Sequence, residues 1–276
     1  AQSAHHADDN SPEHVAHVRL NRPEKMNALS WGMFDAIIAA GHEVAKNKDV
    51  RAVVLSGEGR GFCAGLDLEN FAGGGTGGDF FGEGRGGFWP NYYQSPAYVW
   101  RSVPVPVICA LHGVAYGGGL QIAMGADIRL ASPDTKLSVM EIKWGLIPDM
   151  SASQTLRDLV RLDVAKELTF TGRVVEAEEA QALGLVTRIE EDPVAAALTM
   201  AGDIASRSPD AITLGKYLLD NSWHGDDVAG LRLEEKLQGQ IIAKGNQMEA
   251  VMSAMEGRRA QYAPRTINSF DELKDI

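Results

Sequence analysis

Three stretches of the sequence concentrate residue types that can do chemistry. The first is Gly61-Phe-Cys-Ala-Gly65-Leu66-Asp67, directly after an apolar, β-rich run at 51–56. The second is His112-Gly-Val-Ala-Tyr-Gly117-Gly118-Gly119-Leu120-Gln121, directly after a similar run at 105–111. The third is Met140-Glu141-Ile-Lys-Trp-Gly145-Leu-Ile-Pro148-Asp149. In the first two, a strand gives way to a glycine-rich turn and then to a helix-like stretch. Such a turn leaves backbone N–H groups unpaired, and those donors can hold an oxyanion. Two turns of this kind facing one another would clamp a single carbonyl oxygen. Each turn alone is also what close helix–strand packing requires.

The third stretch carries two carboxylates, Glu141 and Asp149. Gly145 and Pro148 between them preclude one continuous helix, so a loop sets their relative placement. Glu141 follows the apolar run Leu137-Ser-Val-Met, which predicts a buried carboxyl with a raised pKa. Its plainer alternative is a surface charge at a strand end. For Asp149 the alternative is a helix cap, although Ser151 with Gln154 fits a capping box on its own.

These stretches need a scaffold, and the pattern predicts an α/β one. Strands are expected at 14–20, 51–56, 105–111, 127–131 and 185–189, and a helix capped by Ser30 at 30–46. From 152 onward the pattern turns mainly helical, with expected helices at 165–171, 177–183, 193–206, 209–221 and 228–262. The reading divides the chain into a disordered lead-in (1–13), a β-rich core (14–204) and a helical C-terminal region (205–276). Residues 72–88 hold nine glycines with Phe80, Phe81 and Phe88 among them. They read as a mobile surface loop or as a lid with apolar anchors.

Composition narrows the function classes. The 276 residues are 45% hydrophobic and 23% charged, as in an ordinary globular protein. The net charge of −11 disfavours nucleic acid and anionic membranes as partners. Any anionic ligand must then be held by local groups. Cys63 and Cys109 form no Cys-x-x-Cys pair, which predicts a reduced, cytoplasmic protein without a cysteine-built zinc site; no metal is expected. No apolar run approaches the ~20 residues of a membrane span.

Together the segments resemble the enoyl-CoA hydratase/isomerase (crotonase) family. The resemblance covers about 14–262. It rests on Leu20-Asn-Arg-Pro-Glu-Lys-Met-Asn-Ala-Leu29, the Cys63–Asp67 turn, Gly117-Gly-Gly119 with Gly125-Ala-Asp-Ile128, Gly145-Leu-Ile-Pro148, Phe170-Thr-Gly172 and the Ala180–Val186 segment. It implies a core spiral of ββα turns and a helical C-terminal region that closes the pocket and builds trimers or dimers of trimers. It also implies an acyl-CoA substrate, with coenzyme A arriving on the substrate and no resident cofactor. The two oxyanion donors map to the N–H groups of Leu66 and Gly118. Ala28, Ala64, Asp67 and Gly117 fall at substrate-binding positions. Arg22 and Lys25, with Arg258 or Arg259 of the same or a neighbouring subunit, become candidates for the CoA phosphates.

The resemblance also bears on the reaction. Hydratases of this family use two glutamates, and the first stands where this chain has Gln121. An amide is no general base. Glu141 is kept, and Asp149 stands where the hydratases commonly have glycine. The Glu–Asp pair is most similar to the dienoyl-CoA isomerases, although those also have an aspartate at the Gln121 position. The expectation is a double-bond isomerase in which Glu141 and Asp149 transfer protons and Gln121 only shapes the pocket. The alternatives are a Δ3,Δ2-enoyl-CoA isomerase working through Glu141 alone, a hydratase without its first glutamate, and a non-catalytic acyl-CoA binder.

Overall fold

The computed structural model of the chain describes residues 11–67, 69 and 90–274. The expected glycine-rich loop at 72–88 and most of the 1–13 lead-in lie outside the described residues. Five strands form a parallel sheet in the order β1-β2-β3-β5-β8. They are β1 (Val15–Leu20), β2 (Ala52–Gly57), β3 (Val107–Leu111), β5 (Ile128–Ala131) and β8 (Arg188–Ile189). Both faces of this sheet are covered. Val53, Leu55, Val107 and Cys109 pack into the main core, while Ala52, Val54, Ile108 and Ala110 pack against α7 (Pro193–Ala205). Burial on both faces is why these strands read as unbroken apolar runs.

A second, smaller sheet runs beside the first in the order β4-β6-β7. Its strands are only two or three residues long: β4 (Val114–Tyr116), β6 (Lys136–Ser138) and β7 (Val175–Glu176). Isolated bridges from Cys63 to Ala115 and from Leu29 to Leu66 extend it. A long strand, a short one and then a helix recur along the chain, and this repetition generates the spiral. Within it, α1 (Trp31–Lys46) is capped by Ser30, whose Oγ accepts from the Met33 N–H at 3.2 Å. The helix buries Phe34, Ile37 and Val44. The chain continues through α2 (Ser95–Ser102), α3 (Gly118–Met124), α4 (Ala152–Leu159), α5 (Leu162–Thr171) and α6 (Ala177–Leu183).

Some expected boundaries move. β3 starts at Val107 rather than 105, because Pro106 has no N–H to give to the ladder. The strand expected at 185–189 shrinks to Arg188–Ile189. The single helix expected at 228–262 is two helices, α9 (Asp227–Ile241) and α10 (Gly245–Glu256). Between them Ala243 takes a left-handed conformation (φ 58°), which no helix interior tolerates.

The helices α8 (Pro209–Ser222), α9 and α10 have their own apolar cluster around Leu214, Tyr217 and Leu237. Buried cations fasten this region to the sheet-bearing core. Lys216 Nζ donates to Asp127 at 2.8 Å and to the carbonyls of Trp100 and Val105 at 3.2 Å. Arg51 reaches the carbonyls of Ala205 and Tyr262, and Arg265 those of Ala45 and Asn47. Each link gives a buried cation acceptors that offset part of the cost of its burial.

Candidate active site

The two glycine turns meet. Gly65 has φ 94°, and a Cβ there would lie 2.8 Å from the Tyr116 carbonyl oxygen and 3.9 Å from the Gly118 nitrogen. Only glycine permits both that backbone angle and that approach. The bridge to Leu29 fixes the direction of the turn: the Leu29 N–H donates to Gly65 O (2.8 Å), and the Asp67 N–H donates to Leu29 O (3.1 Å). Leu66 between them therefore directs its N–H away from that bridge. On the other side, Gly117 (φ 51°, ψ −121°) turns the chain into α3, leaving Gly118 as the first helical residue. Among the described residues, neither the Leu66 nor the Gly118 N–H donates to a protein acceptor.

Both residues border one cleft of about 830 Å³. Ala28, Ala64, Gly117, Lys25, Asp67, Glu141 and Asp149 border it too. Asn27 sets the shape of one wall. It is fully buried, and its side-chain NH2 donates to the carbonyls of Glu58, Gly61 and Phe62 while Oδ1 accepts from the Arg22 N–H. The sequence reading did not single out the aromatic residues of the cleft. Trp31, Phe34, Tyr93 and Trp144 line it together with Leu146 and Met150. The first two fall at helical spacing and look like core residues, so no sequence signal sets them apart.

Glu141 opens a short 3-10 turn (Glu141–Trp144) and is 8% exposed. Burial pushes its carboxyl above the ordinary carboxylate value, and the negative charge of Asp149 adds to the rise. Burial raises Asp149 as well. Gln121 stands behind the pair rather than on the cleft surface. Its Nε2 donates to Glu141 Oε1 at 2.6 Å, and its Oε1 accepts from the N–H groups of Met150 (2.8 Å) and Ala152 (3.2 Å). Gln121 does not line the cleft itself; it ties together Glu141 and Met150, which do. The capping box expected at Ser151 does not form either. Ser151 is left-handed (φ 71°) and makes no side-chain cap; the Gln154 N–H donates to the Ser151 carbonyl instead, at 2.9 Å.

The candidate phosphate ligands separate. Lys25 borders the cleft with its side chain 45% exposed, paired with Glu69 at 2.6 Å. Arg22 does not border it. Its guanidinium is spent on the Ala28 carbonyl and on Asp67, which the Arg22 hydrogen bond holds below the ordinary carboxylate value. Arg258 is also absent from the cleft of its own chain, gripped by Glu249 and Glu256 at the end of α10. That grip lowers Glu249 to about 2. Arg259 pairs with Glu13 at 3.4 Å.

The sequence pattern of the enoyl-CoA hydratase/isomerase family matches residues 10–265. The chain belongs to that family. Within the family, the chain is 35% identical over 259 residues to the mouse mitochondrial Δ(3,5)-Δ(2,4)-dienoyl-CoA isomerase, covering 89% of this chain and 78% of that protein. It is 30% identical over 250 residues to mouse mitochondrial methylglutaconyl-CoA hydratase, covering 88% and 77%. The crystal structure of the enoyl-CoA hydratase from Bacillus anthracis superposes with a TM-score of 0.84 at 29% identity, covering 92% of this chain and 97% of that one. The α/β spiral is therefore the crotonase fold. Isomerases and hydratases both stand among the relatives of this family member.

Proposed function

We propose that this enoyl-CoA hydratase/isomerase family enzyme binds acyl-CoA thioesters and moves double bonds along the acyl chain. The observation that carries the isomerase reading is the pairing at the cleft. Two carboxyls raised by burial, Glu141 and Asp149, face one cavity, while the third position of interest holds the amide of Gln121. Among the described residues, the other two acids on the cleft are engaged, Asp67 by Arg22 and Glu69 by Lys25.

In this reading the thioester oxygen accepts from the N–H groups of Leu66 and Gly118. One carboxylate takes a proton from the acyl chain, and the electron pair of that C–H bond moves into the enolate that the two donors stabilise. The other acid returns a proton at a different carbon, so the product has the mass of the substrate. A carboxyl raised toward neutrality is suited to both halves of such a transfer. Syn addition of water by the two-glutamate route of the family's hydratases would need a carboxylate at position 121, and the amide of Gln121 supplies none. The reading uses no cofactor beyond the CoA of the substrate, which Lys25 meets at the cleft edge. It also has the chain self-associate as a trimer or dimer of trimers, supported by the exposed Ile147, Leu162 and Phe170; the mass in solution tests this.

Incubation with a 3,5-dienoyl-CoA, a 3-enoyl-CoA and a 2-enoyl-CoA tests the reaction. Isomerisation changes the ultraviolet spectrum without changing product mass. A product heavier by one water would make the protein a hydratase. Saturable binding without turnover would make it a binder.

A further inference from the structure

The isomerase reading leaves the role of Gln121 open, and the hydrogen-bond geometry fills it. Gln121 is 1% exposed. Its amide oxygen faces two backbone N–H groups, those of Met150 and Ala152, which can only donate. The orientation of the amide is therefore fixed, and its NH2 must face Glu141 Oε1 at 2.6 Å. A proton on that oxygen would set donor against donor. Glu141 Oε1 must accept in both protonation states. The other oxygen, Oε2, is buried and, among the described residues, has no hydrogen-bond partner.

We propose that Gln121 is the positioning residue of the carboxylate pair, holding Glu141 by Oε1 so that Oε2 alone exchanges protons, and holding the backbone that follows Asp149 in the same frame. This deepens the isomerase reading and rests on it. The step balances simply: a C–H bond of the substrate breaks, an O–H bond forms at Oε2, and the electron pair enters the enolate. The rigid frame explains how two acids on one irregular segment keep one geometry, since a misplacement of 1 Å can cost about 10²-fold in rate.

Several charged groups surround Glu141. Asp149 acts on it from the segment before α4. Lys25, Asp67 and Glu69 share the cleft, and Lys143 follows in the same turn. The packed helix α5 leaves Asp163, Lys166 and Glu167 in solvent. Of these groups only Asp149 is tied to Gln121, through the N–H of the next residue, Met150, so a shifted titration reports on the frame that Gln121 holds.

The test uses Gln121→Met, which keeps the volume and loses the hydrogen bonds, and Gln121→Glu. Carbon-13 NMR of glutamate-labelled protein follows the Glu141 carboxyl directly, with Glu141→Gln assigning the signal. Thermal melting checks the fold, and turnover of a 3,5-dienoyl-CoA is measured against pH. In Gln121→Met the Glu141 titration should move up, because a donor to its carboxylate is lost. Its kcat should fall about 10²-fold with acyl-CoA affinity unchanged. In Gln121→Glu two carboxyls should share one proton and titrate in two coupled steps. An unmoved Glu141 titration in both variants overturns the proposal, as does Gln121→Met losing only thermal stability while keeping kcat and its pH profile. If the titration moves but the wild-type protein turns over no enoyl-CoA, the positioning role stands and the isomerase reading falls.

Discussion

Replacing Gly65 by alanine tests the oxyanion donors through one added carbon. The new Cβ would stand 2.8 Å from the Tyr116 carbonyl oxygen, short of the ordinary contact that begins at 3.4 Å. Its obstacle is backbone, which cannot rotate away as a side chain can. The turn must therefore retreat by about 0.6 Å, beyond the roughly 0.5 Å within which a catalytic group has to be held. Leu66, the next residue, moves with it. A lost oxyanion donor costs about 2.7–4 kcal/mol, or 10²–10³ in kcat, and a partial displacement should reach the lower end. The φ of 94° adds a strain of about 1–3 kcal/mol to the fold, read as a lower melting temperature. Gly215→Ala is the matched control. It lies within α8 with nothing near its Cβ position, so it should gain about 0.5–1 kcal/mol of stability and leave turnover unchanged. Steady-state kinetics with a dienoyl-CoA and calorimetry of both variants give the answer. A Gly65→Ala protein that melts early yet turns over at the wild-type rate would show that Leu66 is no donor.

Glu141→Gln and Asp149→Asn should each lose about 10²–10⁴-fold in kcat while still binding acyl-CoA by calorimetry. Full turnover by Asp149→Asn beside an inert Glu141→Gln would replace the two-acid scheme with a single-glutamate one. The folded pKa of Glu141 is raised, so its contribution to stability is complete below its ordinary value of 4.5 and is lost as pH climbs through the folded value. Glu141→Gln should therefore melt above the wild type at neutral pH, with the gap closing as pH falls toward 4.5; a gap that widens on acidification contradicts the burial argument. Lys25→Ala should weaken acyl-CoA binding, and the wild-type affinity should fall as salt rises. Glu69→Gln, by freeing Lys25, should tighten binding; equal affinities in all three proteins remove Lys25 from the phosphate site.

The parts of the fold visible in the sequence are those that many residues encode together. β2 carries five consecutive buried residues, and α1 displays an apolar face over four turns with a serine cap. The second sheet is invisible because a strand of three residues such as β4 or β6 has no periodicity to detect. The glycine turns were legible because their angles exclude other residues. The partner of each polar side chain was not. Arg22 and Arg258 look alike in sequence, as free cations beside a motif. One is drawn inward by Asp67, the other held by acids of its own helix end. In sequence Gln121 stands out only as the wrong residue for a base. Its bonds to Glu141 and to Met150 depend on loops meeting across 20 and 29 positions, which no local pattern announces.

The buried cations that fasten the C-terminal helices also impose an order on folding. Arg51 lies in the N-terminal fifth of the chain, yet its carbonyl partners stand 154 and 211 residues later. Arg265 closes on Ala45 across 220 residues. Such long loops are slow to close. During synthesis β1, β2 and β3 can pair long before residue 262 leaves the ribosome. Until residue 205 emerges neither carbonyl that holds the Arg51 guanidinium exists, and until residue 262 one of the two is still missing, so the sheet end beside it stays wet. The last helices to be made therefore dry out the first strands.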